Sequence, residues 1–377
     1  MRKSPEGKAM SVPKHPLFND RLSKPGPLGF LSPKKIRERG LLWTVGSSIV
    51  LVAALLLAIA EYWGDEAEPF DVIAEAMKSA HVETANELPL GYVYATSLIK
   101  IADTLLHKPG GFLSNDVFPP GVLEDNMPTW EYGALTALRD GTSALRNHIA
   151  RAQSQSKEDP DLAKAEPMFY FDHHSWQLPS SESEYSKGIE AMEHYRERLK
   201  FKDAQLNARQ EGGGKQQDEA QFYSRADNLR QYLEILEKRL GSLSNRLSAS
   251  AGDTQKHNEE AVVDVDPSAE QQYVASKTSW WYIDDIFFEA RGYCWATIHI
   301  LQAVKYDFRA ILGNKTALVS LESIIRELQD GQAPFLSPMI LNGGGFGLFA
   351  NYSLTLANYI ARANAATIDL RTLLQQG

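Results

Sequence analysis

Residues 283–308 read IDDIFFEARGYCWATIHILQAVKYDF, and two stripes run along them. Ile283, Phe287, Ala290, Cys294, Ile298, Leu301, Val304 and Phe308 recur about every 3.6 residues, the period of a helix with one continuous apolar face. Opposite them lie Asp285, Glu289, Gly292, Ala296, His299 and Ala303, at spacings of 4, 3, 4, 3 and 4. A solvated face would carry Lys, Glu and Gln there. Gly and Ala let a second helix come close, so the spacing predicts a central helix over 279–312 that is buried on both sides. No alternating run reads as a sheet, and the expectation is an all-α domain.

Working outward, Ala317–Gln329 and Gly347–Leu374 read as helices separated by a loop over 334–345. Upstream, 218–248 carries Phe222, Ala226, Leu229, Leu233, Leu236, Leu240, Leu243 and Leu247, an a/d seam sustained through nearly four heptads. Before it, 180–210 is a charged helix offering Ile189, Met192, Leu199 and Leu206, with a break at 212–214. The two predict a projecting helical hairpin over 180–248. A coiled coil between two copies, through the 222–247 seam, would use the same residues. Residues 249–272 are acidic and aperiodic, as in a mobile loop. Nearer the N-terminus, 69–82, 89–107 and 130–151 have helical spacing, 108–129 is a loop rich in Gly, Pro, Asn and Asp, and 154–167 reads as a polar linker.

The charge is unevenly placed. Residues 1–40 hold ten Lys/Arg against three acids, a balance of +7, and the whole chain is −9, so residues 41–377 carry −16. Between the halves, Leu41 to Ala60 is a run of twenty residues without a charge. As a helix it would span about 30 Å, a bilayer core. Trp43 stands at one end and Tyr62 and Trp63 at the other, with Asp65, Glu66, Glu68 and Asp71 just beyond. That bracketing predicts a transmembrane helix over 41–62, with a disordered basic tail (1–40) in the cytoplasm and 63–377 in the periplasm. Ala58-Ile59-Ala60 fits a signal-peptidase site after Ala60, yet the long basic leader and the long apolar run favour an uncleaved anchor. A single cysteine, Cys294, excludes an internal disulfide and a cysteine-cluster metal site. The acidic far side argues against nucleic acid.

Carboxylates on a buried stripe need partners. The last helix places Asn351, Thr355, Asn358, Arg362 and Asp369 on one face, and Arg362 is the expected partner of Asp285 or Glu289. One reading is a polar network that sets helix register; the other is a site in which a carboxylate acts as base or metal ligand beside His299. Glu289 and His299 stand ten residues apart, roughly 15 Å along a helix, too far to share one metal. Asp172-His173-His174 lacks a spaced third ligand, and Gly343–Gly347 lacks the Lys-Ser/Thr of a phosphate loop. Asp284-Asp285-x-x-x-Glu289 is similar to the acid-rich helix of isoprenoid synthases, but no second motif accompanies it. Neither metal nor cofactor is expected.

Three unusual blocks, 115–131 (NDVFPPGVLEDNMPTWE), 281–292 (WYIDDIFFEARG) and 337–351 (SPMILNGGGFGLFAN), resemble a family of bacterial membrane proteins known only as a domain of unknown function. The resemblance runs from the apolar span to the C-terminus. It implies a Gram-negative inner-membrane protein and supplies no activity, ligand or catalytic residue. A non-enzymatic envelope protein is the leading expectation, with the leucine seam and the aromatic loops as contact surfaces. The alternative is an enzyme or ligand-binding protein using Asp285, Glu289, His299 and Arg362.

Overall fold

A computed structural model describes residues 40–151, 158–200, 219–251, 282–314, 317–335, 340, 342–343 and 350–376. The described residues fall into two units, divided between Ala58 and Ile59. In the first, helix α1 (Leu41–Trp63) is long and apolar enough to cross a membrane. Its side chains Ile49, Val50, Val52, Leu55 and Leu57 all point outward. α1 continues to Trp63, inside the second unit.

Among the described residues the second unit is helical, with a lone bridge between Asn342 and Asn351 and no strand. Its helices are α2 (Val72–Ala80), α3 (Tyr92–His107), α4 (Asn126–Ala144), α5 (Pro160–Phe169), α6 (Ser181–Leu199) and α7 (Ala226–Ser250). They continue as α8 (Ile283–Asp307), α9 (Arg309–Asn314), α10 (Ala317–Asp330) and α11 (Tyr352–Gln375). The all-α expectation holds.

α8 is the axis, packing on α2, α3, α4, α7, α9, α10 and α11. Seventeen of its residues are buried, on both stripes. The small residues act as their spacing predicts. A Cβ on Gly292 would stand 1.9 Å from the Trp130 carbonyl oxygen, and one on Gly133 of α4 would stand 2.0 Å from that of Glu289. The two main chains therefore touch, and dispersion contacts run along the whole crossing.

The leucine seam is real, but its partner is different. Among the described residues α7 packs on α11, and α6 on α3 and α5, while 201–218, the middle of the hairpin expected over 180–248, lies outside them. α7 and α11 run antiparallel, tied by Glu237–Arg371 and by the Ser244 hydroxyl on the Ala357 carbonyl. Leu229, Leu233, Leu236, Leu240 and Leu247 are wholly buried, as Phe222 and Leu243 nearly are. The seam met a stripe far downstream, 113 residues on at the Ser244–Ala357 bond, because a heptad pattern states a need for burial without naming the partner.

The polar linker expected over 154–167 is corrected in its second half. Asp159 caps α5 by accepting from the Asp161 and Leu162 N–H groups, and Pro160 takes the first helical position. Leu162, Ala165 and Phe169 bury one face, and Arg198 of α6 clamps Asp159 and Asp161. The basic tail (1–39), the break at 212–214, the acidic stretch from 252 on and most of the 343–347 glycine run lie outside the described residues.

Candidate functional site

The four residues expected to converge are dispersed. Glu289 accepts from Arg246 of α7, at 2.7 Å from Nη1. Arg362 reaches Glu327 of α10 at 2.6 Å, and neither Asp285 nor Glu289. His299 is sealed in the core at 1% exposure. Its Nδ1–H donates to the Trp295 carbonyl at 2.7 Å, and Nε2 accepts the Phe70 N–H at 3.0 Å. The Phe70 ring lies flat on the imidazole, 3.9 Å away. Burial pushes the Asp285 carboxyl up to about 6, helped by Asp125, Asp284 and Glu289. No group of three metal-ligating side chains occurs among the described residues. His173 lies between the tilted rings of Tyr132 and His174, with its pKa brought down to about 4 by burial and by His174. Cys294 is core, its thiol pushed up to about 12 by burial.

Other polar groups carry the interior. Glu131 of α4 is completely buried and receives Lys108 Nζ at 2.8 Å, together with the Leu113 and Ser114 N–H groups. Burial raises its carboxyl above the ordinary range, opposed by Lys108 and the Leu113 N–H. Asp307, the last residue of α8, caps α3 across space, taking the Gly91 and Tyr94 N–H groups at 2.8 Å each. Gly91 has no side chain to do this itself, and at φ +84° a Cβ there would strike the Phe222 ring. Burial pushes the Asp307 carboxyl up to about 7 despite those bonds.

Arg291 saturates all its donors. It forms a fork with Glu66, 2.6 Å from Nη2 to Oε2, and donates to the Gly331, Gln332 and Ala333 carbonyls. The Phe287 and Phe335 rings flank it. Sequence reasoning passed over Glu131 and Arg291, although both lie in the quoted blocks. A buried pair leaves no periodic mark, and only the charge at an otherwise apolar or small-residue position hinted at it.

Together these contacts hold the chain where it leaves α1. Trp63 packs on Gly110, Glu66 on Arg291 and Phe70 on His299, while Val72 and Ala76 enter the core. Beside this segment opens a cleft of about 400 Å³, lined by Glu61, Asp65, Glu124, Phe288 and Phe335 among others. Among the described residues it presents carboxylates, aromatic rings and Arg291, without a nucleophile–base pair.

The His299 contact makes a pH prediction. Burial lowers the imidazole pKa from 6.5 to about 4. Above 6.5 both folded and unfolded chains hold it neutral, and its contact is fully stabilising. Between 6.5 and 4 only the unfolded chain gains the proton, so stability falls with pH, by on the order of 3 kcal/mol across that window. His299→Gln should flatten this part of the curve of melting temperature against pH, since an amide oxygen can still accept the Phe70 N–H. An unchanged slope in the variant would assign the acid sensitivity elsewhere. Asp285 and Asp307, whose raised pKa values act in the opposite direction, are common to both proteins and cancel in the difference.

No curated protein and no solved structure matches the chain. A family model matches residues 36–377, nearly the whole sequence including α1 and every helix of the second unit. The chain belongs to that family, described as an uncharacterized protein conserved in bacteria, DUF2333.

Proposed function

We propose that this is a single-pass inner-membrane protein with its N-terminus in the cytoplasm, whose helical unit stands in the periplasm and binds or scaffolds other envelope components. The observation that carries the reading is the closure of the polar stripe. Glu289 is spent on Arg246, Arg362 on Glu327 and His299 on Phe70, contacts within the fold rather than with a substrate. The enzymatic alternative keeps Asp285, whose electrostatic neighbours among the described residues are Asp125, Asp284 and Glu289.

Three further features support the address. The tail is basic, the segment after the apolar helix is acidic, and Ala60 is 5% exposed inside the helical unit. Cleavage after Ala60 would remove a residue that the fold buries, so an uncleaved anchor suits it better. Since the leucine seam is filled by α11, a partner must use other surfaces, such as the exposed Tyr170 or Ile368.

Cells carrying Val319→Cys test the topology, because Val319 is exposed and the native Cys294 is buried. A membrane-impermeant maleimide should label the variant once the outer membrane alone is permeabilised. Labelling only after the inner membrane is opened would reverse the orientation. A photo-cross-linking residue at Tyr170 or Ile368 should trap a discrete envelope partner. Absence of adducts at these and other exposed positions would remove the scaffolding role.

A further inference from the structure

Residues 117–123, VFPPGVL, carry no charge, and their large side chains face outward. Phe118 is 72% exposed, Val122 and Leu123 51% each, and Val117 43%. An exposed apolar run of this kind marks a surface that something covers. A neighbouring loop continues it: Asn115 donates to the Ser175 carbonyl, and beyond Ser175 both Trp176 and Leu178 stand exposed.

What covers it follows from where the loop is held. The uncharged run of α1 ends at Ala60, and the last helical turn leads to Trp63. Glu124, next to Leu123, packs on that turn: its Oε2 lies 2.8 Å from where a Cβ on Gly64 would be, and its carboxyl feels the charge of Glu61. Glu124, and with it the end of the loop, therefore lies beside the last turn of α1, the turn that would stand among the headgroups of a bilayer crossed by α1.

We propose that the 117–123 loop dips into the outer headgroup layer of the bilayer that α1 crosses, so that lipid is a second contact of the helical unit. The inference rests on α1 being a membrane anchor. The backbone suits a poorly hydrated layer. Pro119 and Pro120 have no N–H, and the Val122, Leu123 and Glu124 N–H groups donate within the loop to Phe118, Pro120 and Gly121. Asp116, Glu124 and Asp125 flank the run, so attraction to an anionic surface plays no part and the contact is apolar.

Full-length protein in nanodiscs, one chain per disc, tests this with an environment-sensitive fluorophore on single introduced cysteines; buried Cys294 stays unlabelled. Phe118→Cys is the probe, and Leu55→Cys within α1 reports the anchor. Val319→Cys is the solvent control. Val319 lies on α10 near Glu322, which pairs with Lys305, and Lys305 stands roughly 21 Å along α8 from Arg291. With shallow spin-labelled lipids, the Phe118 fluorophore should lose intensity several-fold in zwitterionic discs, unchanged by high salt. Quenching at Leu55 with Phe118 behaving like Val319 would overturn the inference and leave the anchor standing. Protection at Phe118 only when two chains share a disc would also overturn it, assigning the patch to a second copy. Absence of quenching at Leu55 would remove the anchor itself, and the inference with it.

Discussion

Gly292→Ala is expected to lose stability at or beyond the top of the ~1–3 kcal/mol range for overpacked cores. A new Cβ there meets the Trp130 carbonyl oxygen at 1.9 Å and the Trp130 carbonyl carbon at 2.7 Å. Both belong to the main chain of α4, so no rotamer change relieves the contact and the helices must separate. Separation would loosen the interface that packs Trp130, Leu135 and Leu138 inside. The melting temperature of the full-length protein should fall by roughly 5–10 °C. Gly133→Ala, pressing on the same crossing from α4, should act alike, and the pair should be less than additive because one separation relieves both. Gly313→Ala is the control: nothing lies within 4 Å of a Cβ there, and α9 is helical, so it should be neutral or slightly stabilising. A Gly292→Ala protein melting with the wild type would mean that α4 and α8 do not touch.

Glu131→Ala should cost about 3–5 kcal/mol, the range for a buried charge stripped of its partner. The Lys108 side chain is only 1% exposed, and without the carboxylate its Nζ keeps the Gly111 carbonyl alone. The Leu113 and Ser114 N–H groups lose their acceptor as well. Lys108→Met in the same chain should recover part of the loss, since a matched removal leaves no orphaned charge. A double variant no more stable than Glu131→Ala would show that the loop N–H groups, rather than Lys108, are what the carboxylate serves. Denaturant midpoints of the three variants separate these cases, provided their slopes agree.

Much of the fold was legible because one-dimensional periodicity reports burial directly. The stripes of 283–308 identified a helix buried on both faces, and the Gly and Ala positions identified the face of close approach. The apolar run 41–60 declared itself by length and by absence of charge. Other features failed for a definite reason. The heptads of α7 and the polar face of α11 could be read as surfaces, but not as surfaces for particular neighbours. α7 found α11, and Arg362 found Glu327, since the chain between such partners can close over any distance at a cost that grows only slowly with length. The α5 helix was hidden because its cap and proline resemble a turn until Arg198 arrives to hold Asp159.

The sequence by itself determined the helical class, the apolar span with its charge bracketing, and which residues had to be removed from water. Tertiary structure alone decided the ion pairs: Glu66 with Arg291, Lys108 with Glu131, Arg246 with Glu289. Burial is a property each residue states through its own chemistry and spacing. A charge states only that it needs an opposite charge, and the packing of helices far apart in the chain chooses which one comes within reach.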